Sequence, residues 1–120
     1  MSILVDLNGT IAVEGKPVQT TIDYLKTVTE DIYVISGSTE HNRKNYEYLL
    51  DLFGIKHVEL ILSQEDQQSD LDYKLRMAKT IPNLTLAIDN NKKVVAMYRS
   101  AGINAIFPGD VREYQDGVLG

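Results

Sequence analysis

Residues 3–10 read Ile-Leu-Val-Asp-Leu-Asn-Gly-Thr. Ile3, Leu4 and Val5 form an apolar run that stops at the carboxylate of Asp6, and Asn8, Gly9 and Thr10 follow at once. A buried strand that ends in an acid and a glycine turn can hold a nucleophile rigidly at the edge of a sheet. The rest of the chain is therefore read for partners of Asp6.

Outward from this stretch, short apolar runs alternate with helical patterns. Strands are expected at 3–7, 32–35, 58–62, 84–88 and 103–107. Residues 11–19 contain Gly15 and Pro17 and read as a small hairpin or flap. Thr20 or Thr21 offers an N-cap for a first helix with Ile22, Leu25 and Val28 on its apolar face. A second helix spans about 40–53, with Tyr46, Leu49, Leu50 and Phe53 spaced i, i+3, i+4, i+7 and Gly54 placed to end it. After a polar loop over 63–70, a third helix puts Leu71, Leu75 and Ala78 on one side and ends before Pro82. A fourth turns Val94, Val95, Tyr98 and Ala101 inward and stops at Gly102. The tail from Pro108 shows no periodicity. Strands and helices alternating at this spacing predict βαβ units, hence an α/β fold with a mainly parallel five-stranded sheet covered on both faces. Right-handed crossovers then bring all the strand C-termini to one edge, where such sheets bind ligands.

The chain has 120 residues, 43% of them hydrophobic, which suits a single domain over 1–120 with an ordinary core. It has no cysteine, which excludes disulfides, thiolate metal sites and thiol chemistry. No apolar run approaches membrane-spanning length and no signal-like segment opens the chain, so a cytoplasmic protein with no membrane partner is the expectation. Twelve basic and 17 acidic residues give a net charge of −5, which argues against an extended nucleic-acid surface. One terminal phosphate needs only a local site. Lys92 and Lys93 read as a solvated helix start, and His41 and His57, without partners at ligand spacing, as surface or loop residues.

The expected strand ends carry a particular set of side chains. The first delivers Asp6 and Asn8, the second Ser36, the fourth Asp89 followed by Asn90 and Asn91, and Lys74 on the third helix can reach the same edge. Each has an ordinary structural reading: Ser36-Gly37 is a common strand-to-loop pair, Lys74 alone suits a surface, and Asp89-Asn90-Asn91 is good turn and N-cap chemistry. Together, two carboxylates, a hydroxyl and an ammonium suit phosphoryl transfer. An aspartate attacks phosphorus while Mg²⁺ and lysine neutralise the phosphoryl oxygens. Hard oxygen donors favour Mg²⁺ over zinc.

These motifs resemble those of the haloacid-dehalogenase-like (HAD) phosphohydrolase superfamily over 3–107. Asp6-Leu7-Asn8-Gly9-Thr10 is similar to its DxDGT box, Val34-Ile35-Ser36-Gly37 to its second motif, Lys74 to its third-motif lysine, and Ala87-Ile88-Asp89-Asn90 to its acidic fourth motif. A closer resemblance is to the 3′-phosphatase domain of phage polynucleotide kinases. It rests on 86–90, on Val94-Val95-Ala96-Met97-Tyr98-Arg99 with Gly102-Ile103, and on the loop containing Ser63-Gln64-Glu65. The resemblance implies a three-layer, Rossmann-like α/β/α fold, capless or with a minimal flap, and a Mg²⁺-dependent phosphomonoesterase. It implies Asp6 as nucleophile; Ser36, Gly37 and Lys74 as phosphate holders; Asp6, Asp89 and the backbone carbonyl of Asn8 as metal ligands; and a phosphomonoester substrate such as a nucleic-acid 3′ end.

Four departures follow. Asn8 stands where the family has its acid/base aspartate, and an amide cannot accept a proton, so general acid–base catalysis worth ~10²–10⁴-fold should be lost or relocated. Asn90 replaces a second carboxylate, Ser38 replaces an arginine, and the loop over 64–69 lacks the basic residues expected to hold a nucleic-acid strand. Three accounts of Asn8 stand: a weak or inactive phosphatase, another proton source such as Glu14 or a metal-bound water, or a deliberate Asp→Asn change that traps substrate. The sequence has no room for a large cap, so the site should be open, suited to a macromolecular end, a phosphoprotein or a small substrate shielded by a second subunit. Against the phosphatase stands a silent phosphate-binding module of the same fold. A receiver domain is disfavoured because the third strand ends in Ser63 rather than an acid.

Overall fold

The computed structural model describes residues 1–64 and 70–117. Strand β1 (Ser2–Asp6) is buried along its whole length and lies in the middle of the sheet. Its side chains alternate, as the two-residue period of a strand requires. Ile3 and Val5 enter the core on one face, and Leu4 enters the core on the other.

The hairpin β2 (Ala12–Val13) and β3 (Lys16–Pro17) follows, then α1 (Gln19–Leu25), β4 (Asp31–Thr39), a 3₁₀ turn (Glu40–Asn42) and α2 (Arg43–Leu52). Next come β5 (Glu59–Ser63), α3 (Asp70–Ala78), β6 (Leu84–Ile88) and α4 (Lys92–Ser100). The chain ends in β7 (Ala105–Ile106), a 3₁₀ turn (Pro108–Asp110) and α5 (Val111–Gln115). The five-stranded sheet has the order β5-β4-β1-β6-β7, and every neighbouring pair is parallel. Residues of α1, α2 and α5 pack on one face and those of α3 and α4 on the other, a three-layer α/β/α arrangement. This is the expected fold class, and the two-residue strands β2 and β3 are the expected flap.

Several local expectations are corrected. Helix α1 is capped by Val18 without a side-chain bond, and Thr21 is buried inside the helix instead of capping it. Val28 lies beyond that helix but still packs on the core. Helix α2 begins as a 3₁₀ turn. Helix α3 is rotated relative to the Leu71–Leu75 stripe. Tyr73, Lys74 and Ala78 are its buried residues, because the sheet edge needs the lysine and the aromatic ring buries more apolar area than Leu75. Ala101 is exposed and only caps α4. The tail is helical over 108–115: Val111 is buried, and the Tyr114 ring meets Tyr24 of α1 edge-on at 6.5 Å between centroids.

Strand β4 is longer than 32–35. It continues through Ser36, Gly37 and Ser38, and its register against β5 shifts between Ile35 and Thr39. Gly54 follows α2 with φ +72°, the left-handed conformation in which helices commonly end. The expected polar-loop features over 65–69 lie outside the described residues.

Candidate functional site

Parallel pairing places the ends of β1, β4 and β6 side by side. Asp6 lies opposite Ile35 on one side, and Val5 opposite Ile88 on the other. Asp6 and Asp89 therefore meet across one strand pair, at the floor of a cleft of about 400 Å³. Asn8, Gly37, Ser38, Lys74, Asn90 and Asn91 complete its lining. Among the described residues, the buried charged side chains are Asp6, Lys74 and Asp89, and all three are here.

Lys74 joins the two acids. Its Nζ donates to Asp6 Oδ1 at 3.0 Å and to Asp89 Oδ2 at 2.7 Å. The Thr10 hydroxyl donates to Asp6 Oδ2 at 3.1 Å, so both oxygens of Asp6 are held and its plane is fixed. The backbone N–H of Asn91 donates to Asp89 Oδ1 at 2.9 Å. The Asn91 side chain in turn caps α4 by accepting from the N–H groups of Lys93 and Val94. Asn91 thus has the ordinary structural role, and Lys92 and Lys93 are exposed at the helix start.

The opposite wall is uncharged. Asn8 Nδ2 donates to Ser36 Oγ at 3.1 Å and to the Tyr46 hydroxyl at 3.3 Å. The Tyr46 hydroxyl also shares a 2.8 Å hydrogen bond with Ser38 Oγ, and the Ser38 N–H donates to Ser36 Oγ at 3.2 Å. Gly37 is exposed at the mouth.

With both carboxylates ionised, this floor carries one negative charge more than Lys74 balances. Burial, and then repulsion from Asp89, push the Asp6 carboxyl up to about 7 despite Lys74 and Thr10. For Lys74, burial pulls toward the neutral amine, but the fields of Asp6 and Asp89 outweigh it and raise its pKa. Among the described residues no three His, Cys, Asp or Glu side chains gather into a metal cluster. The carboxylate oxygens on hand are those of Asp6 and Asp89.

Every site residue expected from the sequence, namely Asp6, Asn8, Ser36, Gly37, Lys74 and Asp89, reaches this edge. Thr10 and Tyr46 were not anticipated as site residues. Thr10 stands inside the quoted stretch, four residues after Asp6, and its hydroxyl was the available signal. Tyr46 was absorbed by the apolar pattern of α2. Glu14 sits exposed in the hairpin turn with φ +51° and does not line the cleft. His41 is exposed in the 3₁₀ turn, and His57 lies in the loop before β5. β5 delivers Ser63 at its end, not an acid. A second hollow of about 400 Å³ opens at the other end of β4, but its charged lining residues, Lys26, Glu30, Asp31, Lys56 and His57, are of mixed sign and none is buried.

Gly9 ties the two acid-bearing loops together. It has φ +91°, and a Cβ there would lie 2.3 Å from Asn90 Nδ2. Gly9→Ala should lower stability by about 1–3 kcal/mol, chiefly through backbone strain. Chemical denaturation checks this. Trimming Asn90 to alanine in the same protein should recover little, because the side chain can swing away whereas φ cannot relax.

No family model matches the sequence, and no curated protein does. By structure, the chain is similar to a chain in the structure of the Pnkp1/Rnl/Hen1 RNA repair complex, with a TM-score of 0.78 and 16% identity, covering 88% of this chain and 41% of that one. A chain in a second structure of the Pnkp1/Rnl/Hen1 complex gives a TM-score of 0.77 and 17% identity, covering 88% of this chain and 45% of that one. The present chain thus spans less than half the length of either, and at these identities what they share is the fold: a mainly parallel sheet between two helical layers.

Proposed function

We propose that the chain is a phosphomonoesterase of the HAD type, in which Asp6 attacks phosphorus and forms an aspartyl-phosphate. The observation that carries this reading is the buried Asp6–Lys74–Asp89 triad at the carboxyl edge of a parallel sheet, opening into a cleft. Phosphoryl transfer needs little covalent machinery beyond the nucleophile; positioning and charge neutralisation supply most of the rate.

The donor set fits Mg²⁺, which takes one or two carboxylates and completes its shell with waters and substrate oxygens. Asp6, Asp89 and the backbone carbonyl of Asn8 would hold it. When bound, the ion would supply the missing positive charge and polarise the phosphoryl oxygens. Lys74 keeps Asp6 and Asp89 apart and neutralises one of them. Gly37 and Ser38 line the cleft, and with Ser36 beside them they are the residues proposed to hold a phosphate. The structural likeness to components of an RNA repair complex supports an RNA 3′-phosphate end as the first substrate to try. An acidic chain with one local phosphate site fits an end better than an extended strand.

A second reading has its own observation. The Asn8 amide is engaged with Ser36 and Tyr46 and cannot take up a proton, which favours a silent phosphate-binding module. One experiment separates the two. Phosphate release from p-nitrophenyl phosphate and from a 3′-phosphorylated oligoribonucleotide is measured with Mg²⁺, for this protein and for Asn8→Asp. The enzyme reading expects turnover in both, with Asn8→Asp faster on the oligonucleotide by roughly 10²-fold, the lower end of the range for general acid–base catalysis. Phosphate binding by calorimetry with no turnover in either protein would leave only the silent module.

A further inference from the structure

We propose that Tyr46 is a positioning residue, which holds Ser38 and turns its hydroxyl hydrogen toward a phosphate in the cleft; this rests on the reading of the cleft as a phosphate site, with or without turnover. The segment that needs holding is 36–38. Strand β1 pairs with β4 only as far as Ile35, and pairing with β5 breaks after Ile35 and resumes at Thr39. Ser38, which lines the cleft, therefore stands in the stretch of β4 that the two ladders leave unsupported.

A closed ring of hydrogen bonds holds it instead. Asn8 Nδ2 donates to Ser36 Oγ at 3.1 Å and to the Tyr46 hydroxyl at 3.3 Å. The Tyr46 hydroxyl and Ser38 Oγ lie 2.8 Å apart, and the Ser38 N–H returns to Ser36 Oγ at 3.2 Å. The Tyr46–Ser38 bond is the shortest of these, and the Tyr46 ring packs against the core, so α2 ties the ring of hydrogen bonds to the body of the molecule.

Donor counting sets the direction of the hydroxyl hydrogens. A carboxamide has two N–H donors, whereas a hydroxyl has one hydrogen and two acceptor sites. Asn8 uses its N–H groups on Ser36 and Tyr46. The Tyr46 oxygen thus accepts from Asn8, and its one hydrogen has Ser38 Oγ as its acceptor. Ser38 Oγ takes that hydrogen, and its own is left for the cleft that Ser38 lines. Ser36 Oγ accepts from both Asn8 and the Ser38 N–H, and Ser36 is buried behind the lining. A phosphate dianion only accepts, so a hydroxyl that meets it has to donate. The ring turns Ser38 to donate before the anion arrives, which removes part of the ordering cost of binding. An aspartate at position 8 could not do this. It has no hydrogen to give, so Ser36 and Tyr46 would turn their hydrogens to it, and Tyr46 would then draw the Ser38 hydrogen out of the cleft.

The test is a double-mutant cycle read by binding rather than turnover. Inorganic phosphate is titrated calorimetrically, with Mg²⁺ present, into the unsubstituted protein, Tyr46→Phe, Ser38→Ala and the double variant. Phenylalanine keeps the packed ring and removes only the hydroxyl. Ser38→Ala should weaken phosphate binding by roughly 10-fold, near the lower end for a hydrogen bond to a charged group. Tyr46→Phe should weaken it by roughly 3–10-fold, because the Ser38 hydroxyl is then free to turn away. The double variant should bind no more weakly than Ser38→Ala alone, since Tyr46 acts through Ser38. A merely structural Tyr46 would lower affinity by the same factor with and without the Ser38 hydroxyl. That outcome, or a Tyr46→Phe protein that binds phosphate as the parent does, would overturn the positioning role and leave the phosphate site standing. No phosphate binding by the unsubstituted protein would overturn the phosphate site and the role of Tyr46 together.

Discussion

Lys74→Met should destabilise the metal-free protein by about 3–5 kcal/mol at pH 8, the cost of leaving buried charge without its partner. The lysine is the counter-charge to both Asp6 and Asp89, at 3.0 and 2.7 Å, and among the described residues no other cation is buried. Methionine fills much of the same volume, so the loss reports charge rather than a cavity. The loss should shrink at pH 5, where Asp6 can take a proton and the floor then holds one fewer charge. Mg²⁺ at pH 8 should recover part of it by supplying a substitute cation. Urea denaturation at the two pH values, with and without Mg²⁺, provides the check; an equal loss at both would mean that packing, not charge, holds Lys74 in place.

Asp6→Asn should do the opposite to stability while abolishing turnover. On the proposed reading Asp6 is the nucleophile, and its loss should cost on the order of 10⁴-fold or more in phosphate release. Its effect on folding follows from linkage. The folded carboxyl sits at about 7 against an ordinary 3.8, raised by burial and by Asp89. A group whose pKa is raised on folding contributes stability that is fully present below the unfolded value and is lost as pH climbs through the folded one. The metal-free protein should therefore lose stability between about pH 4 and pH 7 on account of this residue. Asparagine, which is never charged, should flatten that slope and be more stable than the parent by at least about 1 kcal/mol at pH 8. A variant that is both inactive and less stable at pH 8 would show that the ionised carboxylate is not under strain.

The parts of this arrangement that were legible in the sequence are those fixed locally. Asp6 and Asp89 each terminate an apolar run, and parallel βαβ topology sends such residues to one edge whatever the loops do. Ser36 and Gly37 were legible for the same reason. Lys74 was a candidate from its place near the start of the third helix and its resemblance to the family's third-motif lysine, and the structure turns it inward at the expense of Leu75, which the apolar pattern of α3 had favoured. Tyr46 was hidden because a tyrosine meets two requirements at once: its ring satisfies the i, i+3, i+4, i+7 stripe, and its hydroxyl bonds Asn8 and Ser38. Helix α5 spans only Val111–Gln115, too short for a periodic signal. The Gly9–Asn90 contact joins loops that are remote in sequence, and no local pattern marks it.

The position of β1 bears on how the molecule is made. This first strand is the middle one, and its two neighbours arrive at very different times: β4 begins at Asp31, while Ser2 pairs on its other side with Leu84. During synthesis one edge of β1 therefore stays open until β6 has emerged, and such long-range parallel pairing closes slowly. The nascent chain carries an apolar strand with one unpaired edge through that interval, the stage at which a β-rich intermediate is most exposed to aggregation. The event that ends it, the docking of β6, is the same event that brings Asp89 to Asp6. On the proposed reading, divalent-ion affinity would appear only in chains whose sheet is complete, so a bound cation would draw the last folding step forward and mark the molecules that have taken it.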